Sequence, residues 1–170
     1  MAARQSKRTH MPPKAKKGKK VRYSRWLVTV NPLKPKLGSY PGGERGLRTK
    51  LEACARLLRP PMLKEFVYIA SKDKSETYAR DVKQTTLDHA VETGHTNKVG
   101  LHLHGLLSIK HTTNLRLSYP KYRAACEKIL GHKCHFDAKI ARGGESLADI
   151  RAYIHKKQQS ASAPVVDGDE

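Results

Sequence analysis

The chain has 170 residues and a formal net charge of +19, set by 34 Lys and Arg against 15 Asp and Glu. That length leaves room for one ordinary domain with tails and none for a second catalytic domain, while that charge calls for a polyanion, nucleic acid by default. No apolar run approaches the roughly 18 residues of a membrane span, the N-terminus lacks the apolar stretch of a secretory signal, and Cys54, Cys126 and Cys134 are odd in number and lack Cys-x-x-Cys spacing, which argues for reduced intracellular thiols.

Ten of the basic residues fall within the first 25 positions, with no acid among them, leaving +9 for the other 145. Residues 1–22 are therefore expected to be a disordered basic tail, rich in Lys, Pro and Gly and without an apolar period. Lys7-Arg8 and the run Lys14 to Lys20 read as a nuclear-localisation signal, a DNA-binding arm, or both.

Order is expected from Tyr23. Arg25 to Asn31 is β-branched and aromatic and stops at Pro32 and Pro35, which predicts a strand with Trp26 as a core anchor. Leu47, Leu51, Cys54, Ala55 and Leu58 recur at three- and four-residue spacing before Pro60-Pro61, which predicts an amphipathic helix. Lys64 to Ala70 reads as a short strand, and the charged stretch through Lys83 as a surface loop. Leu87 to Thr93 and Gly100 to Ile109 read as two strands of a hairpin, turning through Gly94 to Val99, with His111 in the loop beyond. Pro120 to Leu130 reads as a helix stopped by Gly131. Cys134, Phe136, Ala138 and Ile140 alternate with polar residues, as a one-faced strand does. Ser146 and Asp149 resemble a capping box for a last helix through about Lys157, with Leu147, Ile150 and Ile154 on its inner stripe. Residues 159–170 are small, polar and acidic and are expected to be a disordered tail, which leaves one domain over 23–158. Hairpin strands with helices between them predict an α+β fold, an antiparallel sheet with helices packed on it.

The chemistry lies on the second hairpin strand. His102 and His104 share one face, and Leu101, Leu103, Leu107 and Ile109 form the opposite, core-facing row. A turn centred near Asn97 sets Glu92 opposite His102 and Ala90 opposite His104, so a carboxylate joins two imidazoles on a solvent-side platform, a donor set for a catalytic metal. Asp88, Asp73, Glu76 and His95 are the alternatives for the third ligand should the register differ. On the last helix, Tyr153 lies beside the apolar stripe, with Lys156 and Lys157 three and four residues on. A neutral phenol is a weak nucleophile, so positive charge from lysine or a metal is what makes its phenolate available. His132, Cys134 and His135 suggest zinc by type, but Cys134 and His135 point to opposite faces of a strand.

The strand Trp26-Leu-Val-Thr-Val-Asn31, then His102-Leu-His104, then Tyr153-Ile-His-Lys156 on a late helix, resembles in order and spacing the three motifs of the HUH-type Rep endonucleases, initiators of rolling-circle replication in small DNA viruses and plasmids. The resemblance runs across residues 23 to 157. It implies the Rep-type HUH architecture, and it implies a site-specific nickase and strand transferase that acts on single-stranded DNA at a replication origin, or in transposition. His102, His104 and Glu92 would hold Mg²⁺ or Mn²⁺, and Tyr153 would form a 5′-phosphotyrosine link attended by Lys156, with Lys157 the alternative. Thr29, Asn31 and Lys157 become candidates for DNA contact. The basic tail would direct the protein to the host nucleus, and host replication machinery or a separate helicase would be partners; the helicase domain that viral members often append is not among these 170 residues, which are either a stand-alone nickase or an N-terminal fragment. Two other functions fit the same residues: a non-enzymatic basic nucleic-acid-binding protein with incidental histidines, and a metal-dependent phosphoesterase without a covalent intermediate. Two-histidine phosphoesterases are set aside, because they need paired His-x-Thr or His-x-Ser motifs.

Overall fold

The computed structural model describes residues 18, 20–33, 40–70, 77–79, 82–93, 100–141 and 147–155. Strand β1 (Arg22–Pro32) buries Trp26, Val28 and Val30 and turns Arg25, Leu27, Thr29 and Asn31 to the other face, the two-residue period of a pleated strand. It lies inside a four-stranded antiparallel sheet of order β4-β5-β1-β7, where β4 is Gln84–Thr93, β5 Leu101–His111 and β7 Cys134–Ile140. A smaller sheet, order β3-β2-β6, joins Thr77–Tyr78, Val67–Ile69 and Leu115–Leu117.

Two helices cover one face of the large sheet. Helix α1 (Gly43–Arg56) packs Leu47, Leu51, Cys54 and Ala55 inward, and α2 (Tyr119–Leu130) packs Tyr122, Cys126 and Leu130. Gly131 ends α2 at φ 81°, the left-handed conformation that satisfies a last carbonyl: its N–H donates to the Glu127 carbonyl at 2.9 Å. Inside this core the Tyr122 hydroxyl donates to the Cys54 carbonyl at 2.7 Å. All three cysteines are free and buried, and burial foremost pushes the Cys134 thiol up to about 11.

The third helix, α3 (Leu147–Ile154), covers the other face. Ile150 and Ile154 are buried there against Leu106, with Leu27, Ala90, Ala141 and Leu147 packed around them. The α+β class and antiparallel sheet expected from the sequence are thus present, with helices on both faces.

Some local expectations are corrected. The strand expected over Lys64 to Ala70 is a 3₁₀ turn (Met62–Glu65) followed by the shorter β2, because Leu63 and Phe66 are buried while Lys64 and Glu65 are exposed. Burial at i and i+3 suits a 3₁₀ turn and breaks the strand alternation. The loop expected through Lys83 includes β3, and β6 was not foreseen; each is two or three residues long, too short to show a period. His111 is no loop residue. It ends β5, is buried, and its ring bonds Ser24 Oγ and the Thr113 carbonyl. Ser146, the expected cap of the last helix, and the hairpin turn at 94–99 lie outside the described residues.

Candidate metal centre

The hairpin register determines the site. β4 and β5 pair Glu92 with His102 and Ala90 with His104, the pairing that a turn centred near Asn97 requires. Since alternate residues share a face, Glu92, His102 and His104 converge. The two imidazole Nε2 atoms are 3.0 Å apart, and Glu92 Oε1 lies 3.6 Å from His102 Nε2 and 3.5 Å from His104 Nε2. The rings meet edge to face, with centroids at 4.6 Å and an interplanar angle of 89°. The platform is not open to solvent as expected: Glu92, His102 and His104 are only 8%, 7% and 8% exposed. Helix α3 crosses this face over Leu106 and sets the Tyr153 ring against His104.

Each imidazole is turned by its other nitrogen. His102 Nδ1 lies 2.9 Å from the Gly100 carbonyl, which can only accept, so Nδ1 is the donor of that bond and Nε2 is the atom that faces the cluster. His104 Nδ1 lies 3.1 Å from Thr29 Oγ1, on the strand that pairs with β5 at that position. Thr29 therefore orients a cluster histidine, a role that strand reasoning on β1 alone does not reveal. On the outer strand, Arg48 of α1 donates to the Val91 carbonyl at 2.5 Å and ties the backbone beside Glu92.

Such a donor set suits a divalent ion. The three ligand atoms lie within 4.8 Å of one another, and these are the described residues that form such a group. Two nitrogens bound side by side at about 2.1 Å to one octahedral ion stand roughly 3.0 Å apart, and the Nε2 pair has that separation. Imidazoles favour first-row transition ions and the carboxylate suits harder ones, so the donors fit a divalent cation without naming it. Both histidines have the outer partner that ligating imidazoles ordinarily keep.

Tyr153 stands beside this cluster. Its ring centroid is 5.6 Å from that of His104, and the residue is 46% exposed, so it is accessible as well as close. A cleft of about 260 Å³ lined by Leu27, Asp149, Ile150 and Tyr153 opens next to it. A second, of about 240 Å³, reaches Glu92 between Arg48, Thr93 and His155. Lys156 and Lys157, expected to attend the phenol, lie outside the described residues, as do Asp73, Glu76 and His95. Asp88, the other alternative ligand, is engaged elsewhere: Oδ1 pairs with His155 at 2.7 Å and Oδ2 with Arg151 at 3.5 Å. Asn31 lies on the site face of β1, opposite His135 of β7. His132, Cys134 and His135 form no metal-ligand group among the described residues: Cys134 is buried while His135 is exposed.

Comparison with known proteins finds no matching family model, no matching curated protein and no matching solved structure.

Proposed function

We propose that this chain is a metal-dependent endonuclease that nicks single-stranded DNA by transfer to Tyr153 and can rejoin it, the HUH-type chemistry that initiates rolling-circle replication or transposition. The observation that carries the proposal is the placement of an accessible tyrosine ring 5.6 Å from a histidine of a buried Glu-His-His cluster. The order of β1, the paired histidines and the tyrosine helix supports the same reading.

Glu92, His102 and His104 would hold Mg²⁺ or Mn²⁺, and the nitrogen pair favours Mn²⁺ among these two. When bound, the ion supplies Lewis-acid polarisation of the scissile phosphodiester. Tyr153 Oη attacks phosphorus and gives up its proton. The bond from phosphorus to the 3′-oxygen breaks, that oxygen takes a proton, and the 5′-phosphate remains on the tyrosine. Attack by a 3′-hydroxyl reverses the exchange, because one phosphodiester replaces another. Lys156 is assigned to favour the phenolate, with Lys157 its alternative or a backbone contact. Thr29 keeps His104 turned inward, and Asn31 remains a candidate for strand contact. The basic N-terminal run adds affinity for the DNA polyanion and is the proposed nuclear signal.

The test uses pooled single-stranded oligonucleotides with and without Mn²⁺, followed by denaturing electrophoresis. A metal-dependent covalent protein–DNA adduct, absent in Tyr153→Phe, is expected. Cut DNA without an adduct would assign a hydrolytic phosphoesterase instead. Binding that survives EDTA without any cleavage would assign a non-enzymatic DNA-binding protein.

A further inference from the structure

Helix α3 is thinly held. It has eight residues, well short of the ~12–15 at which an isolated helix becomes even marginally stable in water, and among the described residues its apolar seat is Ile150 and Ile154 buried against Leu106, with Leu27, Ala90, Ala141 and Leu147 partly buried around them. What supplements that seat is polar. Asp88 of β4 pairs with Leu106 of β5, on the face that α3 covers. Its Oδ1 accepts a hydrogen bond from His155 Nε2 at 2.7 Å, and its Oδ2 faces Arg151 Nε at 3.5 Å. Arg151 and His155 are one turn apart, joined by the His155 N–H to the Arg151 carbonyl at 2.9 Å. A single carboxylate thus engages the last turn of α3 at two points.

The helical projection says what this contact controls. At about 100° per residue, Leu147, Ile150 and Ile154 make the inner stripe, Arg151 and His155 flank it on one side, and Tyr153 flanks it on the other. The Asp88 contact and the contact of Tyr153 with His104 therefore grip opposite flanks of one helix. With Asp88 released, α3 is free to roll about its small apolar seat, and the tyrosine swings away from the metal cluster. Arg151 is more than half exposed, so the shorter His155 arm carries most of the effect.

We propose that Asp88 is a positioning residue that docks α3 so that Tyr153 stands against His104; its consequence for nicking rests on the function proposed above, whereas the docking itself does not. The test combines hydrogen exchange with adduct kinetics on the full chain. In Asp88→Asn the α3 amides are expected to lose protection about tenfold, the scale of one hydrogen bond to a charged group, with β4 and β5 unchanged. His155→Gln loses less in the same segment, and the double variant no more than Asp88→Asn alone, because both substitutions act on the same Asp88–His155 contact. His155→Gln also carries the test should Asp88→Asn fold poorly, with a loss of protection confined to α3 as the expected result. With a nicking substrate, kcat falls with α3 protection while KM and the Mn²⁺ Kd stay within twofold of the parental values. Unchanged α3 protection in both single variants, additive losses in the double variant, or a parallel loss of Mn²⁺ affinity would overturn the proposal. If the parental protein itself forms no adduct, the nickase reading fails and the exchange data still decide the docking.

Discussion

Replacing Thr29 by Val tests how far the cluster depends on the strand behind it. Valine keeps the β-branched shape and strand preference of threonine, so β1 is expected to hold its place between β5 and β7. What is lost is the oxygen 3.1 Å from His104 Nδ1. The side chain is 11% exposed, so Nδ1 has little access to water as a substitute partner. Loss of an outer partner of a ligating histidine typically weakens metal binding by about 10- to 100-fold. We therefore expect Thr29→Val to raise the Mn²⁺ Kd by roughly tenfold, about 1.4 kcal/mol, measured by isothermal titration calorimetry. Thr29→Ser restores the hydroxyl and should return the Kd to within about threefold of the parental value. A Kd within twofold of the parental in Thr29→Val would refute the reasoning, because His104 would then need no partner at Nδ1.

Other perturbations probe the remainder. Glu92→Gln removes the only carboxylate of the Glu92, His102 and His104 cluster and should lower Mn²⁺ affinity by more than about tenfold; Mn²⁺ is expected to raise the melting temperature of the parental protein and to leave that of the variant unchanged. Tyr122→Phe removes the hydroxyl that donates to the Cys54 carbonyl in the core, an oxygen that keeps the Leu57 N–H at 3.2 Å, and should cost about 1 kcal/mol in urea unfolding, with no change in metal affinity. Burial raises the Cys134 thiol from 9.0 to about 11, so the unfolded chain loses that proton first as pH rises. The stability this thiol contributes is complete below about pH 9 and is lost as pH climbs toward 11; Cys134→Ala should flatten the alkaline fall in urea midpoint, and an unchanged slope would count against the assignment.

The sequence exposed those features that depend on period and pairing along one hairpin. The inward row Leu101, Leu103, Leu107 and Ile109, together with the Glu92–His102 pairing, follows from alternation and from a turn near Asn97. Thr29 eluded that logic because nothing local says which strand lies on the far side of β5; the β1–β5 register alone sets Thr29 opposite His104. The contact of Tyr153 with His104 was also illegible, since it depends on α3 crossing the sheet. Asp88 read as a possible ligand for the same reason: it shares a face with Glu92, and only the position of α3 shows it held by His155 and Arg151. Leu63 and Phe66 show the limit for short segments, where a 3₁₀ turn and a strand differ by a single buried position.

Under the proposed function, Tyr153 receives the cut strand. Protease digestion of the covalent product, followed by mass spectrometry of the nucleotide-bearing peptide, measures this most directly. A nucleotide phosphate is expected on Tyr153 and on no other residue, in Mn²⁺-containing reactions alone. A phosphate on another tyrosine, or cleavage with every tyrosine unmodified, would contradict it.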